Sequence, residues 1–146
     1  MRWYRVVVAL AVGGCTKTPP PACITVDTSC HTLYQPTFDN VYTMTLAPHC
    51  GSTNSGCHST TPGPSQLSFA DEQTAYTELL SPSHLDPKRD RVVPGDPACS
   101  LITVRTDSPG QDYQMPPGTP LPPEERCALI QWVAAGAPGP GVGSAR

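Results

Sequence analysis

The stretch HCGSTNSGCHSTTPG, residues 49 to 63, sets a Cys-His pair, Cys57 and His58, seven positions behind Cys50 in a loop of Ser, Gly and Thr with no apolar side chain to bury. Packing is therefore not the reason for such a loop. Thiols and an imidazole at this spacing can serve covalent attachment of a prosthetic group, a metal site completed by the neighbouring His49, or a disulfide. The redox compartment decides which of these is open.

The first fifteen residues, MRWYRVVVALAVGGC, read as a secretory leader. Arg2 and Arg5 form a positive start, Val6 to Val12 an apolar segment too short to span a bilayer, and Gly13-Gly14-Cys15 a small-small-Cys ending. That ending resembles a lipobox, which implies a signal peptide over 1–14 and lipidation of Cys15; the alternative is an ordinary secretory signal cut nearby. Thr16, in place of an aspartate after the cysteine, resembles the pattern of Gram-negative lipoproteins sent to the outer membrane. The expectation is a membrane-anchored protein exported across the inner membrane and facing the periplasm.

Without the leader, 15–146 is long enough for one small domain. Setting aside Arg2 and Arg5, seven of the nine Lys/Arg remain against twelve Asp/Glu, so the mature chain carries about five net negative charges. That balance points away from nucleic acid as a partner. Nineteen prolines and twelve glycines beside only nine aromatic side chains describe a loop-rich fold that packing alone does not hold. Six cysteines follow Cys15, at 23, 30, 50, 57, 99 and 127. In an oxidising compartment an even number points first to disulfides, with about fifteen connectivities open if all pair.

Residues 15–36, with the proline-rich TKTPPPA at their start, read as a tether of the kind that holds a lipidated domain off the membrane, and 139–146 as a flexible tail. The domain between them spans 37–138. A first helix begins at Thr37, with Phe38, Val41, Tyr42, Thr45 and Leu46 at helical spacing, and Pro48 stops it before Cys50. Ser68 and Asp71 resemble a capping box ahead of an apolar stripe of Ala75, Tyr76, Leu79 and Leu80. Asp96-Pro97 predicts the cap and first residue of a third helix with Leu101, Ile102 and Val104 inward. The last helix has a proline start, an acidic first turn at Glu124 and Glu125, inward Cys127, Ile130, Val133 and Ala134, and Gly136 as its stop. No run alternates with period two, so the fold class is all-α: about four short helices with long Pro/Gly-rich loops.

In this order, a helix ending in a Cys-His loop, a loop-rich middle, Met115-Pro116-Pro117-Gly118 and a closing amphipathic helix resemble the small class I cytochromes c. The likeness extends to cytochrome c-like domains of predicted lipoproteins from myxobacteria and planctomycetes. It is carried by Gly56-Cys57-His58, Ala75-Tyr76 with Leu79, Arg91-Val92-Val93-Pro94-Gly95-Asp96-Pro97 with Ser100 and Leu101, Met115 to Gly118 with Pro120-Leu121, and Ile130, Trp132 and Gly136-Ala137-Pro138. The resemblance implies a small cytochrome c-like fold holding one covalent haem c, with Cys57 and Cys50 as thioether attachment points, His58 as proximal iron ligand and Met115 as distal ligand. It also implies a periplasmic redox protein as partner, and Arg91 first among the nearby cations as a haem propionate contact. A His/Met pair fills both axial positions, which suits electron transfer and leaves no place for substrate.

The pattern departs from the family in one respect. The attachment signal usually has two residues between its cysteines, and here there are six. Three outcomes stay open: haem joined through both sulfurs, haem joined through Cys57 alone, or a Cys50–Cys57 disulfide in a haem-free binding or structural lipoprotein. The spacing repeats at Cys23 and Cys30, followed by His31, but no second methionine loop is available, so a Cys23–Cys30 disulfide is expected there. Cys99 and Cys127, on the third and last helices, are expected to pair with each other.

A zinc site of His49, Cys50, Cys57 and His58 matches no familiar spacing. Lys88, Arg89 and Arg91 read first as a solvated patch, Met44 as packing within the first helix, Trp132 as core and His84 as surface. There is no nucleophile with a paired base, no phosphate loop and no carboxylate dyad set in an apolar pocket, so the sequence points away from an enzyme.

Overall fold

A computed structural model describes residues 18–51, 57–60, 66–86 and 88–142. The predicted leader over 1–14, the lipidation candidate Cys15 and the last four residues lie outside them. Among the described residues there are four α-helices and no strand, so the chain is all-α. The helices are α1 Phe38–Val41, α2 Glu72–Leu79, α3 Leu101–Thr106 and α4 Pro123–Ala134, and α1 runs directly into a π-helical stretch, π1, over Tyr42–Gly51.

Thr37 caps α1 by accepting from the Asn40 amide at 3.3 Å. Pro48 was expected to end this helix, yet the helical path continues through it to Gly51. In an α-helix a proline ring collides with the carbonyl four residues back and takes one N–H out of the ladder; here the chain passes Pro48 in a π register, which bonds five residues apart, instead of α geometry. The extra residues carry Cys50 into the interior. Gly51 closes the stretch where Phe69 crosses it so tightly that a Cβ would sit 2.6 Å from the Phe69 carbonyl oxygen.

Asp71, not Ser68, caps α2, its carboxylate accepting from the Thr74 amide at 2.8 Å. Ser68 instead accepts from Ala70 one turn earlier, so the expected capping box does not form. Ala75 and Leu79 are buried as the stripe requires, while Leu80 is the partly exposed C-cap. The third helix begins at Leu101, later than Asp96-Pro97 suggested. Ser100 accepts from the Val93 amide and donates to the Asp96 carbonyl, both at 2.8 Å, and this holds 96–99 as a turn rather than a helical start. The last helix follows its sequence signals: proline in the first turn, Glu124 and Glu125 next, and Gly136 at φ 92° after the end. Ala134 faces solvent, but Ala128, Leu129 and Trp132 are buried, so α4 is the central helix and lies against both α1 and α3. Phe38 packs on Tyr76 and Trp132 with ring centroids 5.0 and 5.2 Å apart. Trp132 is core, and its indole N–H donates to Pro138.

The four disulfide cysteines are those expected, but the pairing is not. Cys23 bonds to Cys99 and Cys30 to Cys127, in place of Cys23–Cys30 and Cys99–Cys127. The reason is the path of residues 18–36, which run as an arm over α3 and α4. Ile24 donates to the Ala98 carbonyl at 2.9 Å, and the Gln131 amide donates to Thr28 and Cys30. Cys23 thus meets the turn ahead of α3, and Cys30 meets α4. The loops closed span 76 and 97 residues, so in chain-entropy terms each bond contributes roughly 4 to 5 kcal/mol. A second haem at Cys23, Cys30 and His31 is ruled out, because both sulfurs are in disulfides and His31 is on the surface.

Candidate functional site

The helices leave a cavity of about 560 Å³, apolar over most of its wall, between π1, the Cys57–His58 segment, α3 and the loop 115–122. Cys50, Cys57, His58 and Met115 all line it. Four residues from three separate stretches of chain are thereby brought to one space. The volume is within the range of small-molecule and cofactor sites.

His58 is fixed from three directions. Its amide donates to the Cys50 carbonyl at 3.0 Å, and its carbonyl accepts from the Phe69 amide at 2.7 Å. Its ring lies edge-on to Phe69, with centroids 5.3 Å apart. The ring Nδ1 is 2.7 Å from the Leu67 carbonyl oxygen. A carbonyl only accepts, so Nδ1 carries the hydrogen, and Nε2 is left as the nitrogen able to bind a metal. A backbone carbonyl behind Nδ1 orients metal-ligating histidines and raises their basicity.

The two thiols are free and differ in setting. Cys50 is buried, and that burial, with smaller contributions from Cys57 and Glu125, pushes its thiol up to about 12. Cys57 is exposed at the edge of the cavity. The zinc arrangement does not assemble: among the described residues no three His, Cys, Asp or Glu side chains cluster, and His49 turns to Glu125 at 3.2 Å. Glu125 is buried on α4 and also accepts from Thr45 at 2.8 Å; the Thr45 hydroxyl in turn meets Tyr34. Burial of the Tyr34 phenol pushes it up to about 12.

The methionine loop is held by a residue that no sequence pattern singles out. Gln114 is buried, donates to the Pro116 and Gly118 carbonyls and accepts from the Gly110 amide. The Met115 amide donates to Arg105 at 2.9 Å. Arg91, first read as part of a solvated patch, is only 6% exposed; it lines the cavity and donates to the Glu78 and Gln66 carbonyls. Arg105 on α3 is a second cavity cation, donating to Tyr113. Burial lowers the pKa of both guanidiniums. The rest of the expected patch splits, with Arg89 donating to two arm carbonyls and Lys88 on the surface. Met44 is exposed rather than packed, and His84 is exposed as expected.

Comparison with protein-family models, with curated proteins and with solved structures gave no match. The lining residues form a mostly apolar cavity with an oriented imidazole, a thioether, two thiols and two guanidiniums. Such a set suits a large apolar group that carries a metal and acidic substituents.

Proposed function

We propose that the cavity holds one covalent haem c and that the chain is a lipid-anchored, periplasm-facing electron carrier with a cytochrome c-like fold. One observation carries this reading: the Nδ1 hydrogen of His58 is committed to the Leu67 carbonyl, directly behind a free Cys57 and beside the cavity that Met115 also lines. The order of first helix, Cys-His loop, methionine loop and last helix, with the first packed on the last, supports the fold.

The residues present fit the group. Cys57 supplies an accessible thiol for a thioether, and Cys50 a second one on the same wall. His58 is the proximal ligand and Met115 the distal one. Arg91, buried, and Arg105, half-buried, would neutralise the propionates at the cavity wall, where a charge pair is less screened than in open water. When bound, the haem supplies a one-electron iron couple. The apolar wall of the cavity would limit water at it, and with His58 and Met115 both serving as ligands no place would be left for substrate, which favours transfer over catalysis. Its partner is then another redox protein of the periplasm or membrane.

Expression of the full chain with cytochrome c maturation genes tests the reading. A pyridine haemochrome spectrum of the thioether type, lost in Cys57→Ala, is the expected result. Folded, colourless protein under those conditions overturns it. Cys50→Ala separates one thioether from two through the position of the α band.

A further inference from the structure

The tether reading of residues 15–36 does not match how the arm lies. From its first described residue the arm is fastened to the domain: the Thr18 amide donates to the Asp112 carboxylate at 2.7 Å. Arg89 donates to the carbonyls of Pro20 and Ala22, both at 3.1 Å, and Cys23 is covalently joined to Cys99. Between Cys15 and Thr18 only Thr16 and Lys17 remain. Three steps of extended chain reach at most ~11 Å, so a lipid on Cys15 has almost no slack before it meets the domain surface.

Two features mark the surface beside that attachment. Asp112 belongs to the turn that leads into Met115, so the leash ends on the methionine side of the cavity. Arg89 belongs to the loop 82–90, which is closed at its base by the Pro82 to Asp90 bridge. Leu85, in the same loop, lines the cavity yet is 71% exposed, the most exposed of the large apolar side chains among the described residues, with Lys88 on the surface nearby. An apolar side chain left in water beside a lipid attachment gains by entering the headgroup boundary, and a lysine there keeps its charge in the wet layer.

From this juxtaposition we infer that the face made by the 110–115 turn and the Leu85 loop rests on the phospholipid bilayer, so that the methionine side of the cavity looks toward the membrane. The inference rests on lipidation of Cys15, part of the function proposed above. The arm acts as a short clamp that fixes orientation, where a free tether would let the domain turn at random.

The test uses full-length lipidated protein in vesicles of phosphatidylethanolamine and phosphatidylglycerol, with a photoreactive benzoylphenylalanine replacing Leu85 or Leu33. Leu33 is also exposed but sits at the far end of the arm, past the Cys30 disulfide. Irradiation should give at least tenfold more phospholipid adduct, read by mass spectrometry, at position 85 than at position 33. Ten Gly/Ser residues inserted between Lys17 and Thr18 should bring the two positions close to parity. Protein that floats with the vesicles but gives equal yields without the insertion overturns the orientation while leaving the anchor intact. Protein that fails to float at all overturns the anchor, and the orientation with it.

Discussion

The Nδ1 of His58 lies 2.7 Å from the carbonyl oxygen of Leu67, nine residues further along the chain. This bond sets which ring nitrogen is available and which way the imidazole faces before any iron arrives. His58→Ala should leave the covalent attachment through Cys57 in place but abolish the six-coordinate spectrum of the loaded protein. Added imidazole should restore it, because the space vacated is the size of that ring.

Met115 and Gln114 give a paired prediction. Met115→Ala should lower the reduction potential by on the order of 100 mV, within the ~0.8 V span that axial ligands cover, and open a position for added ligands. Gln114→Ala keeps the thioether but leaves the Gly110 amide and the Pro116 and Gly118 carbonyls without their partner. It should cost about 1–3 kcal/mol in denaturant unfolding and loosen the methionine ligation without removing it. A potential that stays put in Met115→Ala would take Met115 out of the site.

The disulfide pairing is directly checkable. Proteolysis without reductant should release linked peptides containing Cys23 with Cys99 and Cys30 with Cys127. Replacing Cys30 and Cys127 together by serine should lower stability by about 4 kcal/mol, read as a shift of the denaturant midpoint. A linked Cys23–Cys30 peptide would refute the path of the arm.

Alkali should weaken the haem-free protein in a defined window. Burial raises the Cys50 thiol from 9.0 to about 12 and the Tyr34 phenol from 10.0 to about 12. The unfolded chain therefore releases these protons first, and between about pH 9 and pH 12 it binds fewer than the folded chain, so stability falls as pH rises through that window. The contribution is fully present below pH 9. Tyr34→Phe should flatten the part of the decline above pH 10, and alkylation of the apoprotein at pH 8 should label Cys57 much faster than Cys50.

Gly51→Ala probes the crossing under the site. A Cβ there would meet the Phe69 carbonyl oxygen at 2.6 Å and its Cβ at 2.7 Å. Phe69 also donates its amide to His58, so the strain passes to the imidazole. Thermal unfolding should show a loss of about 1–3 kcal/mol, and loaded protein a disturbed axial spectrum.

Much of this was legible in the chain, and the pattern of what was not is physical. The last helix could be bounded from Pro123 and Gly136 because starts and stops depend on a few neighbouring residues. Cys57, His58 and Met115 stood out because each sits in a loop with no packing duty to explain it. The end of π1 was not legible, since Pro48 breaks an α-helix locally and only the crossing of Phe69 over Gly51 shows what the wider turn serves. Leu67 was invisible as a partner because it acts through its backbone. Arg105 and Gln114 looked ordinary until the loop after α3 folded back on them.

By itself, then, the sequence determined an all-α chain, its four helical segments and the four cysteines that form disulfides, and it set Cys57, His58 and Met115 apart as residues without a packing role. Those properties follow from local propensity, capping and side-chain chemistry, which act over a few residues. The tertiary structure alone decided which cysteine met which, that Arg91 and Arg105 turned inward, and that His58 and Met115 came to one cavity. Those outcomes depend on where the arm lies on α4 and where the 110–118 loop folds back on α3, and contacts between residues so far apart in the chain form only when burial of the shared core brings their segments together.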